Sequence, residues 1–183
     1  MTVARFQAVR GLLLASLALA GVADAGEQAS PPATPPAPAP ARTPPPRGPA
    51  IALAIEAAQA AIAACSADGY RVGVTIVDSG SGVRLVVADD GARQQAVDSS
   101  TSKANTVVTF RESSAEVARK AAADPALAAQ IAADPHLRAR AGGLPLTVNG
   151  EIIGAIGVGG APGGEKDEAC ARVAIAKIQD RLR

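Results

Sequence analysis

Apolar positions change period several times along the chain, and each change marks a predicted element. Leu144 to Val148 and Glu151 to Gly157 are short runs rich in branched apolar residues. The Asn149-Gly150 pair between them supplies the two positive-φ positions of a two-residue hairpin turn. Val158 to Gly164 carries four glycines and Pro162, which predicts a sharp bend or a close backbone approach. From Glu165 the pattern turns helical, with Ala171, Ala174, Ile175, Ile178 and Leu182 on one stripe. Acids in its first turn (Glu165, Asp167, Glu168) and bases at its end (Lys177, Arg181, Arg183) suit the helix dipole.

Upstream, Ile51 to Ser66 predicts an amphipathic helix with Ile51, Ile55, Ala58, Ile62 and Cys65 on the inner face. Asp68-Gly69 stops it. Tyr70 to Asp78 and Val83 to Ala88 then predict two strands joined by the Ser79–Gly82 turn. Residues 96–110 predict a helix carrying Lys103, and Ser113 with Glu116 has the spacing of a capping box that opens another, to about Ala123. Asp124-Pro125 and Asp134-Pro135 each read as an N-cap followed by proline at the first helical position. Two short helices are therefore predicted, the second around His136 to Arg140.

Helices flank two hairpins, and no strand–helix–strand repeat demands a parallel sheet. The expected class is α+β in two or three layers: an antiparallel sheet of four or five strands. The first and last helices should cover one face, and the middle helices the other side or an edge.

Residues 1–25 have the features of a secretory signal. Arg5 and Arg10 precede an apolar core (Gly11 to Ala20), and Ala23-Asp24-Ala25 is an A-x-A site, with cleavage expected after Ala25. The core is short against the ~20 residues that span a bilayer. Export to the periplasm or beyond is the expectation. Loss of Arg5, Arg10 and Asp24 takes the formal charge from +1 to neutral, so the chain has no overall basic footprint for nucleic acid. Residues 26–49 contain ten prolines and predict an extended tether before a single domain over 50–183. Tyr70 and Phe110 are the aromatic residues left after the signal, so the core must be built from Ala, Val, Ile and Leu.

The segments GGLPL and NGEIIGAIGVGGAPGGEKDEACA resemble the C-terminal signature of the GlcG/HbpS family, which includes the PduO C-terminal haem-binding module. GYRVGVTIVDSGSGVRLVVADDGA is similar to the family's upstream helix and strand region, and Ser102 to Thr106 (SKANT) to its lysine-alanine-x-threonine segment. The resemblance covers about residues 50 to 183 and implies a profilin-like fold and a homo-oligomer. Haem is the ligand it implies, with a haem-degrading or iron-sequestering role. Its catabolic settings imply one alternative, an accessory protein or enzyme for a small organic acid, and its higher oligomers another, an oligomeric scaffold without chemistry.

Candidate chemistry is sparse. His136 is the sole histidine, which excludes two-histidine metal motifs. As a neutral imidazole it is a candidate ligand to haem iron, against the plainer reading of a solvated residue after Asp-Pro. No family motif places a histidine there, and Tyr70 or a threonine oxygen are the other candidates. Lys103 is either a buried amine that binds an anion or polarises a carbonyl, or an exposed helix lysine. Gly142, Gly143 and Pro145 should shape the chain next to a cleft. Gly159 and Gly160 lie in a loop whose amides can hold a carboxylate or haem propionate beside a helix start, although three nearby acids would oppose an anion. Glu165 before Lys166 breaks a Walker A pattern, and Pro162 breaks the dinucleotide one. Neither Asp89-Asp90 nor Asp167-Glu168 forms an acid/base dyad, and no nucleophile–base–orienter set is present. Cys65 and Cys170 lie on helices expected to be neighbours, which permits one disulfide in an oxidising compartment or two small buried residues.

Overall fold

The structure, a computed structural model, describes residues 45–183. The signal over 1–25 and the tether up to residue 44 lie outside the described residues. The elements run α1 (Ile51–Ala67), β1 (Gly73–Asp78), β2 (Val83–Ala88), α2 (Gln94–Phe110), α3 (Ser114–Ala123), α4 (Pro125–Ala133), β3 (Gly143–Val148), β4 (Glu151–Gly159) and α5 (Gly164–Ile178). A 3-10 turn over Gln179–Arg181 ends the last helix.

Both expected hairpins form, and β1 and β4 pair between them, giving an antiparallel sheet in the order β2-β1-β4-β3. Asn149 takes φ 50° and Gly150 φ 81°, the left-handed pair that the β3–β4 turn demands. β1 is central and buried along its whole length, while the edge strand β2 leaves Val83 and Val86 exposed. Alternation along the strands divides the core into two. Val74, Ile76, Ile153 and Ile156 meet α1 and α5 on one face. Val77 and Ala155 meet Ala104, Val107 and Val108 of α2 on the other.

Glycine allows α2 to lie hard against the sheet. A side chain at Gly157 would collide with the Ser100 carbonyl and with the Ala104 amide at 2.9 Å. A buried hydroxyl cluster sits at the same interface: Thr75 Oγ1 lies 2.7 Å from Ser100 Oγ and 2.9 Å from Thr101 Oγ1. Backbone, rather than large side chains, fills the gap there.

Two expectations are corrected. The inner face of α1 consists of Ala54, Ala57, Ala58, Ala61 and Cys65, whereas Ile51 and Ile55 are exposed. Small residues win because α1 packs closely on Ala171 and Ala174 of α5, and isoleucines would hold the helices apart. The helix expected around His136 to Arg140 does not form. Asp134 does cap, accepting the His136 N–H at 2.8 Å, but the chain makes a single turn (Leu137 N–H to Asp134 O, 3.1 Å) and then leaves the helical path for a tight turn in which the Arg140 N–H meets the Arg138 carbonyl at 3.0 Å. The Arg138 N–H is held instead by Thr106 Oγ1 at 2.7 Å, a tertiary bond that replaces the helical one.

Cys65 and Cys170 form a disulfide between the end of α1 and the first half of α5, their Cα atoms 5.6 Å apart. It closes a span of 105 residues that includes the whole sheet. A loop of this length restricts the unfolded chain strongly, and reduction is expected to cost about 2–4 kcal/mol. The paired Cys65→Ala and Cys170→Ala variant should therefore melt roughly 5–15 °C below the oxidised protein. Identical melting curves for the two would contradict the bridge.

Candidate functional site

One cleft, about 710 Å³ in volume, opens where the N-terminal part of α2, the start of α5 and three loops meet. From α2 come Ala96, Ser99 and Lys103, spaced so that they share a helical face. The turn after β4 contributes Gly160 to Gly164, and Asp167 follows from the first turn of α5. Tyr70 and Arg71 enter from the segment before β1, Arg93 from the cap of α2, and Arg138 and Arg140 from the segment before β3.

Lys103 and Asp167 make the floor. Both are almost fully buried, at 1% and 3% exposed. Lys103 Nζ donates to Asp167 Oδ2 at 2.5 Å and to the Val158 carbonyl at 2.9 Å. Asp167 Oδ1 accepts the Ala161 N–H at 2.9 Å. Burial pushes the Lys103 amine below the usual lysine range, opposed by the Asp167 carboxylate, and pushes the Asp167 carboxyl up against the pull of Lys103. With the proton on either partner the pair is neutral overall, so Asp167 adds no net negative charge to the cleft. Lys103 is thus not the exposed helix lysine of the plainer reading. Two glycines seat the pair: at Gly142, with φ 120°, a Cβ would lie 2.7 Å from Lys103 Nζ, and at Gly143 it would lie 2.6 Å from the Lys103 carbonyl.

The arginine wall is anchored from below by buried hydroxyls. Thr106 Oγ1 receives the Arg138 N–H, and Ser114 Oγ donates to the Arg140 carbonyl at 2.6 Å while accepting the Gly143 N–H at 2.8 Å. Arg138 and Arg140 flank a three-residue turn, closed by the Arg140 N–H on the Arg138 carbonyl at 3.0 Å, and both line the cleft. Arg71 is paired with Asp89 at 3.2 Å. Among the described residues, Arg93, Arg138 and Arg140 have no carboxylate at ion-pair distance. A chain of formal net charge +1 thus gathers three unpaired guanidinium groups in one concavity. Such an arrangement favours a ligand with more than one carboxylate or phosphate.

Of the residues singled out from sequence, Lys103 and Gly160 line the cleft, while Gly142 and Gly143 pack beneath it. Gly159 ends β4 with its Cα against the Ala96 carbonyl region of α2. Pro145 lies elsewhere, in a groove of about 390 Å³ with Leu144, Arg172, Ile175, Ala176 and Gln179. His136 is exposed on its turn, two residues before Arg138 and outside the lining. Among the described residues no three His, Cys, Asp or Glu side chains cluster as a metal centre would need. Arg71, Arg93, Arg138, Arg140 and Asp167 join the cleft without having been singled out from sequence. A signal for Asp167 existed: it stands four residues before Ala171 and seven before Ala174, an acid on the apolar stripe of its helix.

The family model described as "Haem degrading protein HbpS-like" matches residues 50–176. Among solved structures, HbpS aligns at 35% identity over 69% of this chain and 87% of its own, with a TM-score of 0.64. A double mutant of HbpS from Streptomyces reticuli aligns at 34% identity over 80% of this chain and 97% of its own, with a TM-score of 0.67. A PduOC:haem complex shares the fold at 22% identity, over 73% of this chain and 96% of its own, with a TM-score of 0.66. Among curated proteins no sequence matches the chain.

Beside the cleft, Asp89 accepts from Ser66 Oγ at 2.7 Å and from Arg71, and these bonds hold its carboxyl below the ordinary carboxylate value of 3.8. A group depressed in the folded state contributes stability above its unfolded pKa, and that contribution is lost as pH falls through the folded pKa. Asp89→Asn should therefore lower stability at neutral pH by about 1 kcal/mol. It should also make the acid limb of the stability–pH curve shallower below about pH 4. Denaturant melts between pH 2 and 7 check this, and an unchanged acid limb would contradict it.

Proposed function

The chain belongs to the HbpS-like haem-degrading protein family, and from that membership we propose that it binds haem through its carboxylates in the arginine-walled cleft. The observation that carries the reading is the convergence of Arg93, Arg138 and Arg140, unpaired, on one concavity. Haem presents two propionates on an apolar ring, and the residues of the cleft suit both parts. Arg138 and Arg140 would take the propionates, with Arg93 closing from the α2 side. Tyr70, Ala96, Ala161 and Pro162 would lie against the ring.

Iron ligation has a thinner basis. The Tyr70 hydroxyl is the oxygen in the lining of a type that ligates haem iron. Haem, when bound, would supply the iron-centred redox chemistry that breakdown of its ring requires. The chain's own contribution is binding and orientation: its lining holds no histidine, cysteine or methionine to tune that chemistry.

We propose further that the protein is exported. The basic start, apolar core and A-x-A site of residues 1–25 support this, and the Cys65–Cys170 bridge fits an oxidising compartment. A second reading, a small organic polyacid as ligand, draws on the same arginines. It is favoured by the scarcity of aromatic side chains, since Tyr70 is the one ring in the lining.

The test is a haemin titration of the chain from residue 26 onward, followed at the Soret band. Wild type and His136→Ala should bind saturably and alike. The Arg138→Ala/Arg140→Ala variant should bind roughly tenfold more weakly for each charge-assisted hydrogen bond it removes. Haemin dimethyl ester, which lacks the carboxylates, should be weakened to a similar degree. Equal affinity for haemin and its ester would remove the arginines from the account. Absence of saturable binding, together with thermal stabilisation by a dicarboxylate, would favour the second reading.

A further inference from the structure

The buried Lys103–Asp167 pair is not explained by stability. Withdrawing two charges from water costs several kcal/mol per ion, and apolar residues of similar volume often serve as well or better. Its bonds suggest another role. Lys103 Nζ holds the Val158 carbonyl near the end of β4, and Asp167 Oδ1 holds the Ala161 N–H three residues later. The pair thus grips the turn from β4 into α5 at two points, and the 2.5 Å contact between the partners ties those points to α2. A methionine–leucine pair could fill the same space. It would give nothing to Val158 and accept nothing from Ala161.

The opposite wall is tied to the same lysine. Gly142, the link between the arginine segment and β3, takes φ 120° and leaves no room for a Cβ beside Lys103 Nζ. The Gly142 carbonyl accepts the Val158 N–H at 2.8 Å, so the residue whose carbonyl Lys103 holds also meets the arginine segment. Lys103 stands where both walls of the cleft meet.

We propose that Lys103 and Asp167 are positioning residues that fix the spacing between the glycine turn and the Arg138–Arg140 segment, and so set affinity for a carboxylate-bearing ligand that neither need touch. The inference rests on the cleft being the ligand site, and it predicts a property of the ligand-free protein as well. In wild type the Ala161 amide should exchange slowly with solvent deuterium. In Lys103→Met/Asp167→Leu it should exchange at least about tenfold faster, because one protecting bond is gone, while amides of β1 and β4 keep their protection.

The same double variant should bind haemin about tenfold or more weakly than wild type, with an unchanged far-ultraviolet dichroism spectrum. Asp167→Asn keeps an oxygen for the Ala161 N–H and turns an amide N–H toward Lys103 Nζ, which accepts it as the neutral amine while still donating to the Val158 carbonyl, so this variant should retain both the slow exchange and an affinity within about threefold of wild type. A folded double variant with wild-type exchange at Ala161, or with wild-type haemin affinity, would overturn the proposal. Should the double variant not fold, Asp167→Asn decides: a tenfold loss of affinity with Ala161 still protected would show that charge, and not position, is what the pair supplies. If wild type itself fails to bind haemin, the haem reading falls, while the exchange comparison still tests the positioning role.

Discussion

A lysine and an aspartate out of contact with water, 2.5 Å apart and 64 positions apart in sequence, tie together the end of the molecule that carries the cleft. Burying such a pair is tolerable when its remaining hydrogen-bonding capacity is used, and here it is used on backbone: the Val158 carbonyl on one side and the Ala161 amide on the other. The glycines around it follow from that choice. Side chains at Gly142 or Gly143 would occupy the space of the lysine or its carbonyl, so the chain at these positions must be bare. The cleft is the concavity left above the pair.

The rest of the fold supports that floor with small residues. Alanines on α1 and α5 let two helices approach closely across one face of the sheet, and the Cys65–Cys170 bridge fixes their separation. Cys170 lies three residues beyond Asp167 on α5, so the bridge and the ion pair restrain neighbouring turns of one helix. On the other face, glycine at 157 lets α2 lie near β4, which places Lys103 within reach of α5 through the end of the sheet. Few aromatic residues are needed for such a core. Their scarcity also gives the cleft its character, with charge around the walls and little to stack upon.

Local chemistry made much of the fold legible. The Asn149-Gly150 and Ser79–Gly82 turns delimited both hairpins, Ser113 capped α3 through the Glu116 N–H, and Asp124 capped α4, each as its residue type dictates. Where reading failed, a distant partner had overridden a local preference. Asp134-Pro135 carries a sound helix-start signal, but the Thr106 hydroxyl captured the Arg138 amide. On α1, isoleucines suggested the inner face while helix–helix distance selected alanines. The cleft was least legible. Its arginines come from positions 71, 93, 138 and 140, on three separate segments, and no periodicity in one sequence joins them. Lys103 was singled out through resemblance, but its partner was passed over.

The HbpS-like family gives the cleft a haem-related setting, and the arginines give it a physical means of holding the acidic edge of such a ligand. The central claim is thus a claim about place. Its most direct test is an amide chemical-shift map of the isotope-labelled protein on titration with zinc protoporphyrin, a diamagnetic carrier of the same two propionates. The account predicts the largest shifts at Tyr70, Arg71, Arg93, Arg138, Arg140, Gly160, Ala161, Gly163 and Gly164. Shifts centred on the exposed face of β2 and α1, with those residues unmoved, would contradict it.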